Sequence, residues 1–334
     1  MPPDALLPIL PDSVPGLSGI ARMAAEAPAL EERHQADFLA LTARSILSRC
    51  KSSRVPFVWQ INPYRGCEFG CQYCYARYTH EFMELRQPLD FERHIFVKQQ
   101  AAALLRRELR QVKPEEEIAI GSATDPYQPA ERRFGVTRSL LEVFAEARGL
   151  RLNLITKGDL IVRDIDLLQR IADRNCLTLR VTITTTDVAL ARLLEPRAPR
   201  PDLRFEAVRR LAEAGLRVGV NCSPALPGIT DGEESLRQVM AATARAGARF
   251  LNSELVFLQP CAQAQFFPFL EREFPHLVAA YRRRFAHSAY ISETDRQRHR
   301  QTVQRLRLRH GLTSSPLPWR PAESEAQLAL FPPV

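Results

Sequence analysis

Apolar and polar positions follow two different periods along the middle of the chain, and each period predicts a different element. Apolar runs with a period of two predict strands, whereas apolar positions three and four residues apart predict the buried face of a helix. The predicted strands are 57–61, 118–122, 150–155, 177–183, 216–220 and 250–257. Helices are predicted over 99–110, from a Thr137 cap to about Gly149, after an Asp164 cap, over 204–214 and over 233–246.

Six strand–helix units of this kind indicate a parallel sheet with right-handed crossovers. Eight such units close a full barrel, so six predict an α/β fold with a partial (β/α)6 TIM-type barrel of parallel strands. In folds of this kind the loops at the carboxyl ends of the strands carry the chemistry. We therefore expect the functional residues in those loops.

The two ends of the chain depart from this pattern. Residues 1–30 contain six prolines and few charges, and residues 313–334 contain five prolines. Such stretches favour loose segments over packed elements. We therefore expect a partly disordered N-terminal arm over 1–50, the barrel over 51–258, a basic helical extension over 259–312 and a disordered tail over 313–334.

The composition is that of a globular protein. With 45% hydrophobic and 25% charged residues, a chain of 334 residues can bury a sizeable core. A run of about 18 apolar residues, which a membrane-spanning helix requires, does not occur in the sequence. Residues 1–4 lack the basic start and the apolar stretch of a signal peptide. We therefore expect a cytoplasmic protein without a membrane partner.

Three of the seven cysteines, Cys67, Cys71 and Cys74, lie within eight residues. In a chain of this length and expected compartment, such crowding indicates metal ligation or redox chemistry rather than a disulfide framework. The spacing is C-x3-C-x2-C directly after the first predicted strand, and Gly66 and Gly70 permit the tight left-handed turns that wrap backbone around a bound centre. Three thiolates can bind three irons of a cubane cluster and leave the fourth iron open.

A zinc site is the alternative for the same cysteines. Structural zinc requires four ligands, and Cys50 or His80 would supply the fourth. This alternative implies a zinc-stabilised nucleic-acid-binding module without catalysis.

The segment from Asn62 to Tyr75, called the cysteine loop below, resembles the cluster-binding motif of the radical S-adenosylmethionine (SAM) superfamily. There three cysteines hold a [4Fe–4S] cluster whose free iron chelates the amino and carboxylate groups of SAM. The resemblance implies that these cysteines bind the cluster and that Tyr73, just before the third cysteine, lies near the adenine. It also implies that the reduced cluster splits SAM into methionine and a 5′-deoxyadenosyl radical, which abstracts a hydrogen atom from the substrate.

Between residues 61 and 228 the chain resembles the spore photoproduct lyase-like branch of this superfamily. The matching phrases are Gly121-Ser122-Ala123-Thr124-Asp125-Pro126, Thr156-Lys157, Arg163-Asp164 and Leu194-Glu195-Pro196-Arg197. The resemblance implies SAM contacts from Thr124, Asp125, Lys157 and Thr182. Asp125, beside the Thr124 hydroxyl, would accept a hydrogen bond from the SAM ammonium, Lys157 would pair with its carboxylate, and Thr182 would bond the carboxylate or the ribose.

One departure separates the chain from true spore photoproduct lyases. Those enzymes keep a hydrogen-donating cysteine just ahead of the Ser/Thr-Asp pair, and residues 121–125 contain none. We therefore do not expect a true spore photoproduct lyase. Cys222, just past the fifth predicted strand, or Tyr127 would have to donate the hydrogen atom instead.

The net charge of +8 is concentrated near the C-terminus. Residues 282–310 contain nine arginines against Glu293 and Asp295. Arginine forks suit phosphate, so this stretch predicts a polyanionic partner, and a solvated helix face is the alternative. The candidate phosphate contacts are Arg282, Arg283, Arg284, Arg305, Arg307 and Arg309.

The C-terminal tail contains a second candidate contact. Residues 327–331 resemble the short peptide that bacterial replication and repair proteins insert into the DNA sliding clamp. Such a peptide needs a polar anchor and apolar side chains that fill a groove, which would be Gln327, Leu328, Leu330 and Phe331. The alternative is a tail that folds back onto the barrel.

These observations together favour a radical SAM enzyme that acts on nucleic acid, such as a DNA-lesion lyase or repair factor. A one-electron reductant of the flavodoxin or ferredoxin type would then be a partner. A radical SAM enzyme acting on RNA, a peptide or a small metabolite is the first alternative. The zinc-stabilised module is the second.

Overall fold

Strands and helices alternate from Trp59 onward in the computed structural model, which describes residues 17–316 except 33–35, 51 and 53. The strands are β1 Ala29–Glu32, β2 Asp37–Leu41, β3 Leu47–Arg49, β4 Trp59–Ile61, β5 Tyr64–Arg65, β6 His94–Lys98, β7 Glu117–Ile120, β8 Arg151–Thr156, β9 Cys176–Thr182, β10 Val218–Asn221 and β11 Leu251–Asn252. The α-helices are α1 Gly19–Ala25, α2 Tyr78–Glu81, α3 Asp90–Arg93, α4 Ala101–Glu108, α5 Glu131–Phe134, α6 Val136–Glu146, α7 Ile165–Ala172, α8 Val188–Leu194, α9 Pro201–Glu213, α10 Glu233–Arg245, α11 Pro260–Glu273, α12 Val278–Arg284 and α13 Glu293–Arg309. Short 3-10 helices cover Tyr75–Arg77, Leu109–Gln111, Asp159–Asp164 and Pro275–Leu277.

The main sheet has the strand order β11-β10-β9-β8-β7-β4-β3. Its first six strands are parallel, and β3 joins the β4 edge antiparallel. This arrangement confirms the α/β fold with a partial barrel of six parallel strands. The last strand is shorter than predicted, because β11 covers two residues and the chain then leaves the sheet, apart from a bridge between Ala225 and Leu255.

Helices cover the sheet with the apolar faces that the sequence predicts. The central strands β8 and β9 are buried on both faces, as parallel strands between helices must be. The inward residues of α6 and α7 are at most 3% exposed, and they are Leu140, Leu141, Phe144, Leu167, Leu168 and Ile171. These side chains and the strands beneath them form one continuous core.

The predicted helix caps need correction. Helix α6 begins one residue before Thr137, after Gly135 in the left-handed region, and the buried Glu131 carboxylate accepts the N–H of Thr137 at 2.8 Å. Asp164 lies at the N-cap position of α7, but its carboxylate pairs with Arg138 at 2.5 Å and not with a backbone N–H. Charge-assisted bonds are stronger than neutral ones, so Asp164 pairs with arginine, whereas Glu131 satisfies both the start of α6 and an ion pair with Arg163.

The described part of the expected N-terminal arm is built into the fold. Strands β1 and β2 belong to a second sheet of order β1-β2-β6-β5, and β3 extends the main sheet. Phe38 and Ile46 are buried in the main core. The Glu108 carboxylate on α4 accepts the backbone N–H groups of Ile46 and Leu47, each at 2.9 Å, and so holds this segment against the barrel.

Helices α11–α13 lie within the expected basic extension, and α13 packs on α10. A second apolar core joins the extension to the cysteine loop, and it includes Phe266, Phe269 and Tyr281 together with Phe69 and Tyr73. Residues 317–334 of the expected tail lie outside the described residues. Among the described helices, none has the length and apolar character that crossing a bilayer requires.

Candidate functional site

The carboxyl ends of the parallel strands surround a cavity of about 330 Å³. The loops after β4, β7, β8, β10 and β11 contribute to its wall, together with Thr182, the last residue of β9. All eight residues expected to hold the cluster and SAM line it, and they are Cys67, Cys71, Tyr73, Cys74, Thr124, Asp125, Lys157 and Thr182. The structure therefore brings the predicted cofactor residues together at one place.

The path of the cysteine loop depends on its two glycines. Gly66 and Gly70 have φ values of +83° and +64°, a region that other residues rarely adopt. A Cβ atom on Gly66 would lie 2.6 Å from the carbonyl oxygen of His94, and one on Gly70 would lie 2.7 Å from the guanidinium of Arg197. Gly66 is required by close packing against backbone as well as by conformation, whereas Gly70 faces the end of a flexible side chain and is required by conformation.

Thr124 and Gln128 clamp the peptide groups on either side of Cys67. The Thr124 hydroxyl and the Gln128 amide both donate to the carbonyl oxygen of Gly66, at 2.5 and 3.1 Å, and the Gln128 amide oxygen accepts the N–H of Glu68 at 2.9 Å. Because the hydroxyl proton of Thr124 is used in this way, Thr124 can contact a cofactor only as an acceptor. Gln128, which the sequence does not single out, is fully buried.

The segment 194–197 lies beneath the cysteine loop as a cradle. The carbonyl oxygen of Leu194 accepts the N–H of Gln72 at 2.9 Å, and the N–H of Arg197 donates to the carbonyl oxygen of Phe69 at 3.2 Å. The Tyr73 hydroxyl donates to the buried carboxylate of Glu195. This phrase of the sequence therefore supports the loop from below.

A buried ion pair completes the cradle. Arg204 of α9 lies 2.5 Å from the Glu195 carboxylate, and both side chains are 1% exposed. Burial opposes ionisation of Glu195, but Arg204 and Lys157 outweigh it and lower its pKa. The same guanidinium donates to the carbonyl oxygen of Thr182 at 3.0 Å and so ties the cradle to the end of β9.

Asp125 and Lys157 lie in the loops after β7 and β8, and the Lys157 ammonium is 5.7 Å from the centre of the Tyr73 ring. The Asp125 carboxylate accepts the N–H groups of Tyr127 at 2.9 Å and Lys157 at 2.6 Å, and the Thr156 hydroxyl at 2.5 Å. A carboxylate offers about four acceptor positions, so roughly one remains for a ligand. Burial lowers the pKa of Lys157, but the nearby Cys71 and Glu195 outweigh it and raise the pKa to about 12, so its ammonium stays charged.

The three thiols suit a multi-iron cluster better than a single ion. Burial raises the pKa of each of them, for Cys71 to about 12, so a thiolate here requires a cationic centre to offset the desolvation. In the part of the chain that the structure describes, no three histidine, cysteine, aspartate or glutamate side chains converge on one metal ion. His80, considered as a fourth zinc ligand, instead places its Nε2 3.0 Å from the carbonyl oxygen of His94.

The two predicted hydrogen donors do not line the cavity. The Tyr127 hydroxyl donates to Asp164 at 3.2 Å, and Cys222 is 1% exposed with its Sγ 3.9 Å from the carbonyl oxygen of Thr184. Tyr75, which the sequence does not single out, does line the cavity, and its hydroxyl donates to the backbone. Its position directly after the third cysteine was the signal that could have identified it.

The predicted phosphate-binding arginines fall into two groups. Arg282 and Arg305 each pair with a glutamate, at 2.7 and 2.8 Å, and Arg307 donates to the carbonyl oxygen of Leu251 at 3.2 Å. The other three are exposed, with neither a hydrogen bond nor an ion pair to the described residues, and they are Arg283, Arg284 and Arg309. The candidate clamp residues Gln327, Leu328, Leu330 and Phe331 lie beyond the described part of the chain.

Comparison with known proteins matches residues 61–239 to the radical SAM superfamily. The chain is similar to an uncharacterized protein of Mycobacterium tuberculosis, with 32% identity over 329 residues that cover 98% of this chain and 95% of that protein. It is also similar to an uncharacterized protein of Methanocaldococcus jannaschii, with 27% identity over 233 residues that cover 70% and 83% of the two chains.

Solved structures of spore photoproduct lyase are similar in fold. One mutant structure has a TM-score of 0.64 at 18% identity, and a second mutant, with bound AdoMet and dinucleoside spore photoproduct, has a TM-score of 0.62 at 16% identity. Each comparison covers 90% of this chain and 86% of the other. At these identities the likeness concerns the fold, and it agrees with the partial barrel described above.

Proposed function

Because the chain belongs to the radical SAM superfamily, it is an enzyme whose cofactors are a [4Fe–4S] cluster and SAM, and we propose that its substrate is nucleic acid. When bound, the cluster supplies the electron that splits SAM, and SAM supplies the radical that removes a hydrogen atom from the substrate. The protein's own residues supply binding, orientation and exclusion of water.

We assign each cofactor residue a role that its remaining hydrogen-bonding capacity allows. The three thiols of the cysteine loop bind iron, and the Tyr73 ring forms the wall beside the adenine. The free acceptor position of Asp125 receives the SAM ammonium, and the Lys157 ammonium pairs with the SAM carboxylate. The Thr182 hydroxyl accepts from Asn221 at 3.5 Å, so its proton remains available for the carboxylate or the ribose.

One structural observation carries the choice of nucleic acid. The basic extension shares an apolar core with the cysteine loop through α11 and α12, so Arg283 and Arg284 of α12 are fixed relative to the cavity. Arg309 lies on α13, which packs on α10. Arg283, Arg284 and Arg309 have no acidic partner among the described residues, which leaves their guanidinium groups available for phosphate. The dinucleoside photoproduct bound in the similar lyase structure supports the same substrate class.

The reaction that we propose is lyase-like or a repair reaction on DNA, without the hydrogen-return step of a true spore photoproduct lyase. Among the described residues, the cavity wall holds no thiol besides the three cluster ligands. Neither Tyr127 nor Cys222 faces the cavity, so we assign the return of hydrogen to neither.

Three other parts of the proposal concern partners and location. A flavodoxin or ferredoxin type of protein would supply the electron, and residues 327–331 would bind the DNA sliding clamp. We place the enzyme in the cytoplasm because none of its seven cysteines forms a disulfide, as expected of a chain in a reducing compartment.

The test is an anaerobic SAM-cleavage assay on the full chain, reduced with dithionite, with and without ultraviolet-damaged DNA. We expect about four irons per chain and formation of 5′-deoxyadenosine that increases with the DNA. Serine at Cys67, Cys71 and Cys74 should abolish both iron binding and cleavage. Serine at Cys176, buried at the amino end of β9, should preserve both. Pigment retained without the three cysteines would contradict the assigned ligands.

The arginines provide a separate test of the substrate class. Alanine at Arg283, Arg284 and Arg309 should weaken DNA binding and reduce the slope of log K against log salt by up to about three, because each phosphate contact contributes roughly 0.9. Alanine at Arg305, which already pairs with Glu233, is the matched control and should change the slope less. If the enzyme bound neither DNA nor RNA, and neither changed its rate of SAM cleavage, the choice of nucleic acid would be overturned.

A further inference from the structure

A stack of planar groups leads from the cavity to the surface. The Tyr75 ring lies 4.8 Å from the Phe257 ring, centroid to centroid, and Phe257 stacks on Tyr290 at 5.3 Å with 14° between the ring planes. The guanidinium of Arg54 lies over the Tyr290 ring at 3.7 Å. Tyr75 and Phe257 line the cavity, whereas Arg54 is exposed. We call these four residues the aromatic rim.

The aromatic rim spans the open side of the partial barrel. Arg54 belongs to the connection between β3 and β4, which form one edge of the main sheet. Phe257 and Tyr290 follow β11, the strand at the other edge, and they are joined by a backbone bridge. A substrate that enters between the two edges must therefore pass along these rings.

Arg54 is held at the rim by a ring contact alone. Its guanidinium lies over the Tyr290 ring and has no hydrogen bond or carboxylate partner in the described ranges. Glu254, the acidic residue of the cavity mouth, is paired with Arg300 at 3.5 Å. The free positive charge of the rim is therefore not neutralised locally and can attract an anion.

We infer that the aromatic rim binds one unpaired nucleobase of the substrate, stacked on Tyr290, with Arg54 against the base or the adjoining phosphate. A planar cation one van der Waals layer from the ring occupies the position that a base would take, and aromatic rings beside arginine are the usual platform for unpaired bases. An aromatic peptide side chain would stack equally well, but the free cation and the exposed arginines favour a polyanion. This inference rests on the proposed function and specifies the state of its substrate.

The experiment uses the anaerobically purified full chain and a short single-stranded oligonucleotide that contains 2-aminopurine, whose fluorescence falls when the base stacks. The wild-type protein should bind the oligonucleotide and quench its fluorescence. Tyr290→Leu should weaken binding about ten-fold and lose the quenching, because the base loses the ring on which it stacks. Tyr290→Phe keeps the ring and should restore both. Arg54→Ala, at an exposed side chain that folding does not require, should weaken binding and reduce its salt dependence.

Phe82→Leu is the matched control, because Phe82 is an aromatic residue that is 59% exposed and does not line the cavity. It should bind and quench as wild type does. A wild type that binds no oligonucleotide would refute the proposed function itself. A wild type that binds, with Tyr290→Leu and Arg54→Ala equally tight and equally quenched, would overturn the rim alone. Binding of a tryptophan-containing peptide that Tyr290→Leu abolishes, without an effect on the oligonucleotide, would also overturn it.

Discussion

The cysteine loop and the aromatic rim face the same cavity but are held by different forces. Buried polar contacts hold the loop, since Thr124 and Gln128 bond Gly66 and the ion pair of Glu195 with Arg204 supports Tyr73. A backbone bridge between Phe257 and Tyr290 positions the outer rim, but its side chains are held by ring contacts and one exposed cation. The side chains of the two walls are therefore held by contacts of different kinds.

The difference follows from what each wall must bind. A buried polar contact is costly to break, because each separated group is left without a partner, so a network of such contacts fixes one geometry. Stacked rings gain small dispersion energies from many neighbours and can exchange one planar partner for another. We infer that the cofactor wall is preorganised and that the substrate wall is adaptable.

The largest expected effect on folding comes from breaking the ion pair under the loop. Glu195→Gln leaves the Arg204 charge buried without its carboxylate, and we expect the free energy of unfolding to fall by about 3–5 kcal/mol, with loss of bound iron. Urea denaturation and iron analysis measure the two effects. Glu206→Gln is the control, because Glu206 pairs with Arg209 at the surface, where solvent screening leaves an ion pair little effect on stability. Equal losses of unfolding free energy in the two variants would show that the buried ion pair contributes no more to stability than a surface pair does.

The next effect depends on pH and concerns His80, which is buried behind the loop. Burial lowers its pKa from 6.5 to about 4. Above pH 6.5 the ring is neutral in both states and its contribution to stability is fully present. Below that pH the unfolded chain binds the proton first, so stability falls between pH 6.5 and 4, by up to about 3 kcal/mol. His80→Gln keeps an N–H for the carbonyl oxygen of His94. The stability of this variant should depend less on pH between 6.5 and 4 than that of the wild type. An unchanged profile would assign the acid sensitivity to other groups.

Local signals explain what the sequence predicts well. The three cysteines, their glycines and the six parallel strands all follow from spacing or period within a few residues. Asp125 and Lys157 could be placed at the cavity because each follows a predicted strand, and parallel strands end at one edge of a sheet.

Contacts between distant segments explain what the sequence does not predict. Gln128 and Arg204 are single polar residues in otherwise ordinary stretches, and only tertiary packing buries them against the loop. The second sheet joins short strands from residues 29–41 to β5 and β6, so no local period identifies the pairing. Thr137 had the right residue type for a cap, but the Glu131 carboxylate, six residues earlier, takes that role.

A smaller effect is expected from the backbone of the loop. Gly66→Ala places a methyl group 2.6 Å from a carbonyl oxygen at a φ of +83°, and we expect it to cost at least about 2 kcal/mol and to lower the iron content. Gly215→Ala is the matched control, because Gly215 has a φ of +77° with nothing within 4 Å of the added atom. It should cost only the conformational penalty of about 1 kcal/mol and retain iron. If the two variants lost similar amounts of stability and iron, conformation and not close packing would make Gly66 necessary.

The smallest effect should come from the rim. Phe257→Ala removes a half-buried ring, and we expect it to lower the free energy of unfolding by about 1 kcal/mol and to leave the iron content as in wild type. Phe266→Ala is the matched control, because the same substitution at a fully buried ring in the core shared with the cysteine loop should cost about 3–5 kcal/mol. Urea denaturation and iron analysis of the two variants compare the walls directly. If Phe257→Ala also lost iron, the rim would be part of the rigid cofactor wall, and an adaptable substrate surface would have to lie elsewhere around the cavity.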